Sequence, residues 1–202
     1  MEEIIANILL ENQAVKIETE NPFTWTSGIK SPIYCDNRLL ISYPDAVNTI
    51  VLGFKEILED MDFDVIAGTA TAGIPWASFL AYELDKPLIY IRKKPKEHGT
   101  KSQIEGVMKA KQKVVLIEDL ISTGGSSISA LQAIQKEGGI ADTVLAIFSY
   151  GFPLAQQNFS EADAQCKTLT SFPVLLDHLT GIKNEEKEDI LNFSKDPQNW
   201  RS

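Results

Sequence analysis

The stretch VVLIEDLISTGGSS, residues 114–127, limits the possible folds more than any other part of the chain. Val114 to Ile117 form an unbroken apolar run, which predicts a buried strand. Glu118 and Asp119 are predicted to close it, and a small-residue loop from Ser122 to Ser127 follows. Ile128, Leu131 and Ile134 then recur at helical spacing up to the stop at Gly138 and Gly139. Strand, acidic pair, small-residue loop and helix start make up a phosphate site. Glycine lets the backbone approach an anion, and free N–H groups at a helix N-terminus favour negative charge. Two carboxylates beside such a loop would repel phosphate, so ribose hydroxyls or a metal ion are their natural partners.

The same alternation runs through the rest of the chain. Ile4, Ile5, Ile8 and Leu9 mark a first helix, and Val15 to Ile17 a short strand. Residues 21–38 are rich in turn formers and aromatics, and predict a packed hood or lid with short strands. Phe23, Trp25 and Tyr34 pack this hood, and Phe23 and Ile33 are candidates to face a planar base. Pro44 opens a second helix whose inner face carries Val47, Ile50, Val51, Phe54, Ile57 and Leu58. Residues 64–68 and 87–91 read as strands, each followed by a suggestive loop: Thr69 to Pro75 after the first, the basic residues 92–101 after the second. Residues 143–148 and 167–171 read as further strands, and residues 183–193 as a charged terminal helix. Residues 196–202 form a tail in which Trp200 is free to dock.

Strands that are apolar throughout and alternate with helices imply a parallel sheet covered on both faces, an α/β fold. Ligands of such sheets bind beyond the carboxyl ends of the strands. Three strand ends carry suggestive loops, so the three together are expected to enclose one ligand. At 202 residues the expected organisation is one domain: a hood mainly over residues 1–40, a core over about 41–180, and a terminal helix and tail over 183–202.

Charge narrows the partners. A net charge of −9 argues against a general nucleic-acid binder. Against that background Arg92, Lys93, Lys94, Lys96 and Lys101 cluster within ten residues, with His98 among them, as a local anion-binding device. No apolar run approaches the ~18–20 residues that span a membrane. Cys35 and Cys166 have no metal-ligand spacing, and with no basic leader they point to the cytoplasm. A ligand meeting all three loops would be a highly anionic sugar, such as a pentose carrying a 5-phosphate and a 1-diphosphate.

Residues 114–126 match at every position the thirteen-residue signature of the type I phosphoribosyltransferases, which the chain therefore resembles. Two more segments resemble the orotate-using branch of that family: FTWTSGIKSPIYCDNR, residues 23–38, is similar to its N-terminal hood, and RKKPKEHG, residues 92–99, to its catalytic loop. The resemblance implies a type I phosphoribosyltransferase fold. It also implies transfer of ribose 5-phosphate from 5-phosphoribosyl 1-diphosphate to orotate with Mg²⁺, giving orotidine 5′-phosphate and diphosphate for UMP synthesis. It further implies a homodimer that shares the 92–101 loop across subunits, and no membrane or nucleic-acid partner. Carried over by position, Arg92, Lys93, Lys96 and His98 contact the diphosphate from the neighbouring subunit, and Lys96, His98 and Asp119 are the catalytic candidates. Glu118 and Asp119 hold the ribose hydroxyls. The binding segment continues through Leu120, Ile121 and Ser122 to Thr123, Gly124, Gly125 and Ser126 around the 5-phosphate, with Ser122 also touching orotate. No direct protein ligand to Mg²⁺ is implied, since diphosphate and ribose hold the ion.

Three positions depart from some members. Thr26 stands where some carry Lys, Thr71–Ala72 where some carry Tyr–Lys, and Tyr150 where some carry Arg. The orotate contacts therefore have to be found elsewhere. Two other functions compete: a phosphoribosyltransferase for another base, and a non-catalytic regulator that retains the phosphoribosyl-diphosphate site. The hood argues against the first; the net charge and the intact basic loop argue against the second.

Overall fold

The computed structural model describes residues 1–25, 28–95 and 102–201. The chain runs α1 (Glu2–Glu11), β1 (Val15–Ile17), β2 (Phe23–Thr24), β3 (Lys30–Ser31) and β4 (Ile33–Cys35), then a 3-10 turn at Asn37–Ser42 and α2 (Pro44–Leu58). β5 (Val65–Thr69), α3 (Gly73–Glu83), β6 (Leu88–Ile91), β7 (Ile104–Glu105), β8 (Lys113–Ile121) and α4 (Gly125–Lys136) follow. β9 (Ile140–Ser149), α5 (Pro153–Glu161), β10 (Gln165–Ser171), α6 (Phe172–His178) and α7 (Asn184–Lys195) complete it. The main sheet has the order β10-β9-β8-β5-β6-β7.

Both faces of the sheet are buried, which is why its strands read as unbroken apolar runs. Ile66, Val115, Ile117, Leu145 and Ile147 point to one side, under α1, α2, α3 and the C-terminal helices. Val65, Ala67, Ile89, Leu116 and Val144 point to the other, under α4 and α5. The expected α/β fold is therefore present, with one change. The sheet is mixed, because β7 pairs antiparallel with β6 through Tyr90↔Glu105 and Ile91↔Ile104. After the basic segment the chain doubles back along β6. Arg92 N–H donates to the Gln103 carbonyl at 2.9 Å, and the Gln103 amide donates back to the Arg92 carbonyl at 3.1 Å, closing the base of that segment.

Two boundaries on the central element differ from the expectation. β8 does not end at Ile117; it continues through Ile121, so the acidic pair lies inside the strand. The cause is β9, whose ladder continues past the carboxylates with Leu120↔Phe148 and Ile121↔Ser149. Cross-strand pairing at this depth outweighs the low strand propensity of Asp and Glu. α4 starts at Gly125 rather than near Ile128, which shortens the loop to three residues.

The hood is two small antiparallel pairs, β1 with β4 and β2 with β3. The tail secures it from the far end of the chain. Trp200 is 8% exposed and packs edge-on to Phe193, while its indole N–H donates to Asp189 at 3.1 Å. Arg201 donates to the Thr19 carbonyl and to Asp189, and Lys30 donates to the Arg201 carbonyl at 3.2 Å. Trp25 lies against Tyr150, Phe152 and Phe193, so one aromatic cluster joins hood, core and terminal helix. Among the described residues no helix is long and apolar enough to cross a membrane.

Candidate functional site

The sheet register brings the three expected strand ends together. Thr69 pairs with Ile91 and Gly68 with Ile117, so β5 and β6 end together beside β8, which runs on to Ile121. The Ala70 N–H donates to the Ile91 carbonyl at 2.8 Å, which ties the loop after β5 to the strand that carries the basic segment. The Ala70–Thr71 peptide in this loop is cis. Gly73 closes the loop against β8, where a Cβ would lie 2.4 Å from the Ile117 carbonyl oxygen. No other residue allows the two backbones to meet there.

Glu118 and Asp119 sit where these loops meet. Glu118 is 4% exposed and accepts from the Ser127 hydroxyl at 3.5 Å and from the Asp119 N–H at 3.3 Å. Burial, reinforced by the charge of Asp119, pushes the Glu118 carboxyl well above the usual carboxylate range. Burial also raises Asp119, opposed by a hydrogen bond from Glu118 and by the positive charge of Arg38. A neighbouring cation or a set of hydroxyl donors would favour the ionised pair.

The small-residue loop before α4 is built as its sequence requires. Gly124 caps α4 in the left-handed region at φ 79°, and a Cβ there would lie 2.7 Å from the Phe159 ring. The first-turn N–H groups of Gly125, Ser126 and Ser127 have no acceptor within the helix and point out of its N-terminus. Asn158 donates to the Thr123 carbonyl at 2.9 Å and fixes the loop from α5. Leu120 and Ile121, inside the expected binding segment, pack into the two core clusters and set the position of the loop from below. Ser122 lies between strand and cap.

Of the basic residues, Arg92 reaches Glu105 at 3.5 Å, and Lys93 follows it at the end of β6. Lys96, His98 and Lys101, like Thr26 in the hood, lie outside the described residues. Ile33 is fully buried in the core and cannot face a base, whereas Phe23 packs on Tyr34 with ring centroids 5.5 Å apart. Tyr150 is also buried; its hydroxyl accepts the Cys35 N–H at 3.2 Å, and its ring stacks on Phe152. Both cysteines are free, and burial raises the Cys35 thiol, so it packs rather than reacts.

Sequence reasoning missed the contact between the hood and the acidic pair. The Asn37 amide donates to the Asp119 carbonyl at 2.6 Å, and Arg38 stands beside it. A second omission is Thr69: its hydroxyl, buried at the end of β5, stands beside the Glu118 carboxyl and favours its ionised form. The tripeptide Asp36-Asn37-Arg38, polar within an apolar hood, was the available signal for the first. Nothing local marks the second.

A doubly covered sheet whose strand ends combine an acidic pair with a glycine-capped phosphate loop defines a phosphoribosyltransferase of type I. A family model described as "Phosphoribosyl transferase domain" matches residues 53–145. The chain is 45% identical over 202 residues to an orotate phosphoribosyltransferase of Coxiella burnetii, covering 98% of this chain and 97% of that one. It is 48% identical over 208 residues to the enzyme of that name from Lactiplantibacillus plantarum, covering 99% and 98%. Among solved structures, an orotate phosphoribosyltransferase from Aeropyrum pernix superposes with a TM-score of 0.77 at 27% identity, covering 86% of this chain and 96% of that one. The chain belongs to the orotate phosphoribosyltransferase family.

Proposed function

We propose that the protein transfers the 5-phosphoribosyl group of phosphoribosyl diphosphate to N1 of orotate, giving orotidine 5′-phosphate and diphosphate in de novo UMP synthesis. One observation carries the reading: the likeness to orotate phosphoribosyltransferases spans 98% of the chain, hood included. The first turn of α4 binds the 5-phosphate, and Glu118 and Asp119 hold the ribose hydroxyls. As the C1–O bond breaks, its electron pair leaves with the diphosphate and positive charge builds on the ribose beside the carboxylates. Orotate N1 supplies the new bond to C1 and releases its proton. Fixed charges placed where charge develops lower the barrier without reorganising.

Donor chemistry at the strand ends fits Mg²⁺. The side chains there are carboxylates and hydroxyls, including the buried Thr69 Oγ1 beside Glu118. Such a hard-oxygen set suits an ion held chiefly by substrate phosphates. Glu118 and Asp119 would face the ion through the ribose hydroxyls, and it would neutralise charge on the diphosphate. Arg92 and Lys93, with Lys96 and His98, serve the same end of the substrate.

The reading includes a homodimer in which residues 92–101 of one copy cover the site of the other. Exposed apolar side chains on α2 and α3, namely Leu52, Phe79 and Tyr82, support a partner surface. Two free cysteines are consistent with a cytoplasmic enzyme.

With Mg²⁺, phosphoribosyl diphosphate and an equimolar mixture of orotate, adenine and hypoxanthine, the purified protein is expected to consume orotate alone. Ultraviolet absorbance and separation of the products read the result. Consumption of a purine with orotate spared would replace this reading with that of a purine enzyme.

A further inference from the structure

Orotate carries its carboxylate on C6, the ring atom bonded to N1. Once N1 faces the anomeric carbon, that carboxylate stands next to the ribose and so next to the residues that hold the ribose. Those residues are Glu118 and Asp119, both acidic. A second anion can settle there only if a cation stands on the same edge. Lys30 of the hood is turned to the Arg201 carbonyl at 3.2 Å, and Arg92 belongs to the diphosphate end of the substrate. Tyr150 is a buried neutral phenol.

Arg38 is placed differently. It follows Asn37, whose amide is bonded at 2.6 Å to the backbone carbonyl of Asp119, and its charge is felt by the Asp119 carboxylate. Its guanidinium is held in a fork: Nε to Asp36 Oδ1 at 2.6 Å and Nη2 to Asp36 Oδ2 at 2.8 Å, with Nη2 also 3.3 Å from the Tyr34 hydroxyl. Those contacts use Nε and Nη2 and leave the two Nη1 hydrogens directed away from Asp36. The side chain is 57% exposed, so a ligand can reach it. The Tyr34 and Phe23 rings beside it offer an aromatic edge for a pyrimidine.

We propose that Arg38 is a specificity-determining residue that binds the C6 carboxylate of orotate through Nη1, oriented by Asp36 and Tyr34. The inference rests on the orotate reading above and adds to it the residue that separates orotate from pyrimidines without a carboxylate. A guanidinium pre-oriented by a carboxylate loses little freedom on binding, which suits it to this task better than a free lysine.

The test is steady-state kinetics of Arg38→Gln with Mg²⁺, varying orotate and phosphoribosyl diphosphate separately. Loss of a charge-assisted hydrogen bond is expected to raise KM for orotate about 10- to 100-fold. KM for phosphoribosyl diphosphate is expected to stay within about twofold, since the phosphate loop is not touched. An unchanged orotate KM in the variant, beside an active wild type, would overturn the role of Arg38 and leave the proposed reaction standing. A rise confined to the phosphoribosyl-diphosphate KM would also overturn it, by assigning Arg38 to the other substrate. A wild type that does not consume orotate would remove the reaction itself, and this inference with it.

Discussion

Glu118→Gln is expected to stabilise the chain while disabling it. The folded state holds the Glu118 carboxyl raised by burial and by Asp119, so folding favours its protonated form. Below the ordinary carboxylate range the group is protonated whether folded or unfolded, and it costs nothing. As pH rises through the unfolded value, the unfolded chain releases its proton first and the folded state loses ground until the raised folded value is passed. Gln is neutral throughout, and its carbonyl can still accept from Ser127. The variant should therefore match wild type in thermal midpoint near pH 4 and exceed it near pH 8. Turnover should fall about 100-fold, because a charge facing the developing ribose cation has gone. Gain of stability with loss of function is what a destabilised active-site group produces. A variant that is no more stable than wild type at pH 8 would mean that Glu118 pays no burial cost.

Gly73→Ala is expected to damage fold and site together. The added Cβ would meet the Ile117 carbonyl oxygen at 2.4 Å and the Glu118 Cα at 3.3 Å, both backbone atoms of the central strand. Neither is a flexible side chain that can swing aside, so the loop at residues 69–73 or the strand must shift. Overpacking of this kind costs about 1–3 kcal/mol, or roughly 2–12 °C in thermal midpoint. The displaced loop is one of the three expected to enclose the ligand, so KM for phosphoribosyl diphosphate should rise with the loss of stability. A variant with wild-type midpoint and kinetics would show that the loop does not depend on close contact with β8.

Much of this was legible in the sequence. Apolar runs gave the strands, helical spacing gave the helices that cover them, and the strand-end rule placed three loops on one edge. What failed did so where the deciding partner is distant. Glu118 and Asp119 look like a strand end because charged residues usually finish strands; only the pairing of Leu120 and Ile121 with β9 shows otherwise. β7 is two residues long and visible only through its antiparallel pairing with β6. The meeting of Asn37 with Asp119, 82 residues apart, and of Arg201 with Thr19, 182 apart, leaves no local periodicity to read. The acidic pair and the glycine-capped loop were legible because their signals are local; the hood side of the candidate site was not, because it is assembled from afar.

The central claim is that the carboxyl edge of β5, β6 and β8 is a single phosphoribosyl-diphosphate site. A crystal structure with phosphoribosyl diphosphate and Mg²⁺ tests it directly. The 5-phosphate is expected on the N–H groups of Gly125 to Ser127, the ribose hydroxyls on Glu118 and Asp119, and the diphosphate at the 69–73 loop under residues 92–101 of the second copy. Phosphoribosyl diphosphate bound away from that edge, or bound there with its ribose out of reach of both carboxylates, would contradict it.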